Sequence, residues 1–118
     1  MKRNHRELRV WQLAVVLVEE IYATTEAFPK SEQYGLTSQL RRAAVSVPAN
    51  IAEGAARRGS KELLYFLSVA SGSLSELDTL IELALRLGLV KETSNLASRI
   101  DEVAALNMNL MASIKRKS

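Results

Sequence analysis

The stretch from Gln39 to Arg57 constrains the fold more than any other part of the chain. Read at 3.6 residues per turn it specifies three faces of one helix. Leu40, Ala44, Val47 and Ile51 make an apolar stripe suited to a core. Val45 opens a second stripe that continues as Ala49, Ala52 and Ala56, where single methyl groups let another backbone come close. Arg42, Ser46, Asn50, Glu53 and Arg57 make a polar third stripe, expected on the side away from the leucine face. A helix needed only for packing requires the first face and tolerates almost anything on the other two.

The same periodicity recurs on both sides. A first helix is expected over about 6–26, with Leu8, Trp11, Val15, Val18 and Tyr22 on one stripe and Val10, Ala14, Leu17 and Ile21 on its neighbour. Trp11 is read as core or interface packing, because an indole is large and needs only one acceptor. Phe28-Pro29 ends this helix, since the residue before proline is driven out of the α region. A loop follows, and Thr37 is expected to cap the second helix, over about 37–57. Pro48 lies inside that helix and should bend it locally. Gly54 and Gly59 bracket its expected fraying end.

Ser60 is expected to cap the longest helix, over about 60–87. Its seam Leu63, Leu67, Ala70, Leu74, Leu77, Ile81 and Ala84 alternates spacings of four and three, which suits shallow helix crossing. Gly72, opposite that seam, suggests close backbone approach, because a mid-helix glycine costs about 1 kcal/mol against alanine. Gly88 is a natural residue just past the helix end. A last helix, over about 92–115, carries Leu96, Ile100, Val103, Leu110 and Ile114. Asn107 shares its stripe, either fixing register through buried hydrogen bonds or lying at a solvated edge. Four amphipathic helices joined by short loops predict a single all-α domain over 1–118, an antiparallel up-down-up-down four-helix bundle.

Composition narrows the chemistry. The 118 residues include no cysteine and one histidine, which leaves no thiol nucleophile and little for zinc or haem. His5 sits in a charged N-terminal segment and is read as solvated. No Glu-x-x-His pair suits a di-iron bundle, and no glycine pattern cradles phosphate. The carboxylates Glu19, Glu20, Glu76, Asp78 and Glu82 fall mostly on polar faces. No enzyme activity, metal or cofactor is expected. The longest apolar run, Leu13 to Val18, is too short for a bilayer, so a cytoplasmic protein is expected.

A formal net charge of +3 permits a polyanionic partner without demanding one. Arg41, Arg42, Arg57, Arg58 and Lys61 bracket the second helix, and they are the candidate phosphate contacts for RNA or DNA. In an antiparallel bundle Arg57, Arg58 and Lys61 share one pole with both basic termini. No aromatic platform accompanies them, so single-strand stacking is not expected. Three readings of the stripe through Ser46, Asn50 and Glu53 stay open: a solvated face, a recognition surface for nucleic acid or a partner protein, and a subunit interface. Val45, Ala49, Ala52, Ala56 and Gly72 are the candidate close-packing positions.

The order Val10-Trp11-Gln12, Phe28-Pro29, Tyr34-Gly35-Leu36, then Ser46-Val-Pro-Ala-Asn-Ile-Ala-Glu-Gly54 with Arg57, and Ala70-Ser-Gly-Ser-Leu-Ser-Glu-Leu77 resembles the bacterial 23S-rRNA intervening-sequence family. The resemblance runs from about Glu7 to Leu89. It implies a four-helix bundle assembled into a homopentameric ring with no established biochemical role. A distantly similar retroelement accessory protein binds nucleic acid and a reverse transcriptase, which makes RNA or DNA binding an expectation here. Lys91 stands where the family has a hydroxyl or acidic helix-start residue.

Overall fold

A computed structural model describes residues 1–118. Four helices, α1 (Arg9–Thr25), α2 (Leu36–Ala55), α3 (Ser60–Arg86) and α4 (Ser94–Lys117), pack compactly, and there are no strands. Short 3-10 turns at Asn4–Glu7 and Lys30–Glu32 precede α1 and α2. No helix is long and apolar enough to cross a membrane.

The core is the set of stripes legible in the chain. Ala14, Leu17, Ala44, Val47, Ile51, Leu67, Ala70, Leu77 and Val103 are fully enclosed. Trp11 is half-buried and packs against this core as expected. Its ring meets His5 edge-on at 5.1 Å between centroids, so His5 is half-buried in the 3-10 turn rather than freely solvated.

The helix ends depart from expectation in chemically specific ways. Leu8 is extended, so α1 starts three residues later than its periodicity suggests. Thr37 does not cap α2. Gly35 holds the cap position without a side chain, Thr37 is buried in the first turn, and the Leu36 N–H donates to Glu32 Oε1 at 3.1 Å. The carboxylate of the preceding turn thus serves an orphan amide. Ser60 is likewise the first residue of α3, with extended Gly59 before it and no side-chain cap. α4 begins at Ser94, two residues after the expected start. The Glu92 carboxylate accepts from both the N–H and the hydroxyl of Ser94, which holds it below the usual carboxylate range.

At the end of α3, Gly88 has φ +76°, Leu89 N–H donates to Ala84 O at 2.9 Å and Gly88 N–H to Leu85 O at 3.1 Å. These are the paired bonds of a Schellman ending. Pro48 sits inside α2 and, having no N–H, gives up the bond to the Ala44 carbonyl, while the helix continues to Ala55.

The α2–α3 contact is the most extensive in the molecule. Gly54 is its tightest point, and it is buried rather than fraying. A Cβ there would lie 2.9 Å from Phe66 Cβ, 3.1 Å from Leu63 Cδ1 and 3.3 Å from Leu63 O. Gly72, by contrast, has open space where its side chain would stand. Close helix approach inside the chain therefore occurs at Gly54, not at Gly72.

Candidate functional site

The five candidate phosphate contacts separate into three environments. Arg41 is committed to α1. Its Nε donates to the Thr25 hydroxyl at 2.9 Å, and Nη2 lies 3.5 Å from both the Tyr22 carbonyl and the Glu26 carboxylate. The guanidinium stacks 4.4 Å from the centre of the Tyr22 ring. This arrangement ties a cation to the negative end of α1, where carbonyls lack helical partners. Its work is structural, and Arg41 leaves the candidate set. Its position in the second turn of α2 carried no signal of this, because the bond depends on where α1 ends.

Arg57 is shared. Its Nη2 meets Glu53 at 3.0 Å, Nη1 lies 3.9 Å from Glu62, and the guanidinium sits 5.0 Å from the Phe66 ring centre. Two half-exposed carboxylates offset its charge, although both pairs lie in water and contribute little to stability. Arg58 and Lys61 are exposed and make no ion pair. They flank the turn between α2 and α3 and are the cations there most available to an anion.

Arg42 stands apart from these, also without an ion pair. It lines a cleft of about 350 Å³ between α2 and α3 with Gln39, Ser46 and Glu76. Below it, the Ser46 and Ser73 hydroxyls lie 2.8 Å apart across the two helices. Asn50 Nδ2 donates to the Ser46 carbonyl at 2.8 Å and to its hydroxyl at 2.9 Å. The polar stripe therefore does not lie wholly away from the neighbouring helix. Ser46 and Asn50 are half-buried at the α2–α3 boundary, and Arg42, Glu53 and Arg57 are exposed. Ser73 was not visible as the partner of Ser46, nor Glu76 as a neighbour of Arg42 across the cleft, since helix register sets what faces the stripe.

Val45, at 43 % exposure, faces outward with Ala49 and Ala56, and Ala52 is half-buried. The methyl stripe thus has no neighbour within the chain beyond its Ala52 margin.

Two further polar features lie on α4. Arg99 Nε donates to Glu20 Oε1 at 2.9 Å and Nη1 to Glu102 Oε1 at 2.8 Å, and these bonds, Glu20 first, raise its pKa above the ordinary arginine value. They line an open, wholly polar cleft of about 760 Å³ between α1 and α4. Asn107 is fully buried, which excludes the solvated edge. Its Nδ2 donates to Leu67 O and Ser71 Oγ, each at 2.9 Å, and its Oδ1 has no partner. No group of three or more His, Asp or Glu is placed to hold a metal ion.

No curated protein matches the chain. Residues 6–109 match the family described as 23S rRNA-intervening sequence protein, a span that takes in α1, α2, α3 and most of α4, with Gly54, the Arg42–Ser46 cleft and the Arg57–Lys61 turn inside it. With the match running through every element just described, the chain belongs to the 23S rRNA-intervening sequence protein family.

Proposed function

We propose that this protein is a cytoplasmic, non-enzymatic homo-oligomeric scaffold, a pentamer in the resemblance's terms, that binds structured RNA or other nucleic acid at one basic pole. The observation that carries the reading is the distribution of charge. Residues 1–12, 50–68 and 106–118 hold ten of the sixteen lysines and arginines but three of the thirteen carboxylates, a net of +7. The remainder holds six cations and ten carboxylates, a net of −4.

An antiparallel, up-down-up-down order brings those three segments to one end. It is supported by the pairing of Glu20 with Arg99, Arg41 with Thr25, Ser46 with Ser73, and Asn107 with Leu67. Arg58 and Lys61, free of carboxylates, are the proposed phosphate contacts at the junction, with Arg57 beside them. Concentrated positive charge of this kind displaces counterions from a polyanion and gives salt-dependent affinity. Oligomerisation is supported by the outward Val45, Ala49 and Ala56, which leave an apolar strip on α2 uncovered. The same strip supports the second reading, in which α2 serves a partner protein or the subunit interface and no nucleic acid binds.

The test is binding to rRNA fragments and to an unrelated duplex across a salt series, with the natural protein and Arg58→Ala/Lys61→Ala. The proposal expects affinity to fall steeply with salt and the slope to shrink by about 0.9 per lost duplex phosphate contact in each engaged subunit. A folded oligomer that binds neither ligand at low salt overturns it in favour of the second reading.

A further inference from the structure

Midway along the molecule, bordering the basic segment at Met108, lies a groove with its own chemical character. It runs between α3 and α4 with a volume of about 430 Å³ and is lined by no lysine or arginine. Asn107, bonded to Leu67 and Ser71, sets the register of the two helices, so Met108 stands level with Ser71 at one end. The carboxylates of Asp78 and Asp101 line the other end. From Ser71 to Thr79 the groove follows α3 for eight residues, about 12 Å at 1.5 Å per residue, or two helical turns.

Its floor is apolar, formed by Leu74, Ile100 and Ala104, and Met108 is 66 % exposed beside it. An exposed thioether adapts its shape to an incoming apolar side chain. An apolar-floored trough that becomes acidic at one end differs from a solvated helix face, where carboxylates alternate with cations.

We propose that this groove docks a helical segment of a partner protein that carries an apolar side chain and, two turns along, an arginine or lysine. The apolar side chain seats against Met108 and Ala104. The cation lies between Asp78 and Asp101, neither of which makes an ion pair within the chain. Charge complementarity selects this occupant. An acidic or nucleic-acid ligand would meet two like charges here, and the basic pole already meets the needs of a polyanion. The surface is separate from Arg58 and Lys61, so the inference stands apart from nucleic-acid binding.

The probe is a fluorescein-labelled, alanine-based helical peptide with leucine and arginine seven residues apart, and a control with glutamate in place of arginine. Fluorescence anisotropy with the natural protein should show saturable, salt-sensitive binding of the arginine peptide and none of the glutamate peptide. Asp78→Asn/Asp101→Asn should weaken binding about tenfold, the scale expected for two largely exposed charge contacts. Met108→Ser should weaken it through lost apolar contact. All these residues have exposed side chains, so melting temperature should stay unchanged. Equal binding of the two peptides, or equal affinity in the carboxylate variant, overturns the proposal. So does loss of self-association in that variant, which would identify a second copy as the occupant.

Discussion

Adding one methyl group should move stability in opposite directions at two glycines of this chain. At Gly72 a Cβ meets nothing within 4 Å, so Gly72→Ala gains helix propensity of about 1 kcal/mol without a steric cost. At Gly54 the same propensity gain is available, but the Cβ arrives 2.9 Å from Phe66 Cβ and 3.3 Å from the Leu63 carbonyl. Both atoms are fixed to the α3 backbone and cannot turn aside, unlike the end of a long side chain. Overpacking of this kind costs about 1–3 kcal/mol, and here it strains the largest helix contact in the molecule. Set against the propensity gain, this leaves Gly54→Ala up to about 2 kcal/mol less stable.

An unfolding entropy of about 2.1 cal/mol/K per residue gives about 0.25 kcal/mol/K for 118 residues. Each kcal/mol thus shifts Tm by about 4 °C. Thermal melts followed by circular dichroism should place Gly72→Ala about 4 °C above the natural protein and Gly54→Ala below it by up to about 8 °C. A Gly54→Ala protein that melts above the natural temperature, as Gly72→Ala should, would show that α2 and α3 separate freely. The assignment of Gly54 as the point of closest approach would then be wrong.

Arg41→Ala should lower stability by about 1–2 kcal/mol, because it removes a hydrogen bond to buried Thr25 and the stacking on Tyr22. It should leave the salt dependence of RNA binding unchanged, and a shallower slope in that variant would return Arg41 to the phosphate contacts. Glu92 supplies a pH signature at the start of α4. Its carboxyl is held below its ordinary value by the two bonds from Ser94, so its contribution is present above the unfolded pKa and is lost as pH falls through the folded one. Glu92→Gln should therefore make this part of the acid-induced loss disappear. A Ser94 amide protection factor that falls on acidification equally in both proteins would contradict this.

The helices themselves were legible in the chain, because a period of 3.6 survives wherever an apolar stripe must be buried. Leu40, Ala44, Val47 and Ile51 are enclosed as their spacing implied, and Gly88 ends α3 as its position implied. Gly54 was also legible in principle. It continues the stripe of Val47 and Ile51 at the next helical interval, and a glycine on a core stripe signals close approach more directly than one on an outer face such as Gly72. Helix starts were less legible, since Glu32 and Glu92 reach amides from outside the helices they serve.

The sequence alone determined that the chain makes four amphipathic helices, which residues enter the core and which family the motifs resemble. These properties depend on local periodicity and residue type. Only the tertiary structure decided which arginines are free. Arg41 and Arg42 are neighbours on one helix, yet one is bound to the end of α1 and the other faces an open cleft. A guanidinium's availability depends on the carbonyls, carboxylates and rings that other helices place within its reach. That placement is set by the packing of whole helices, which no local pattern of residues records.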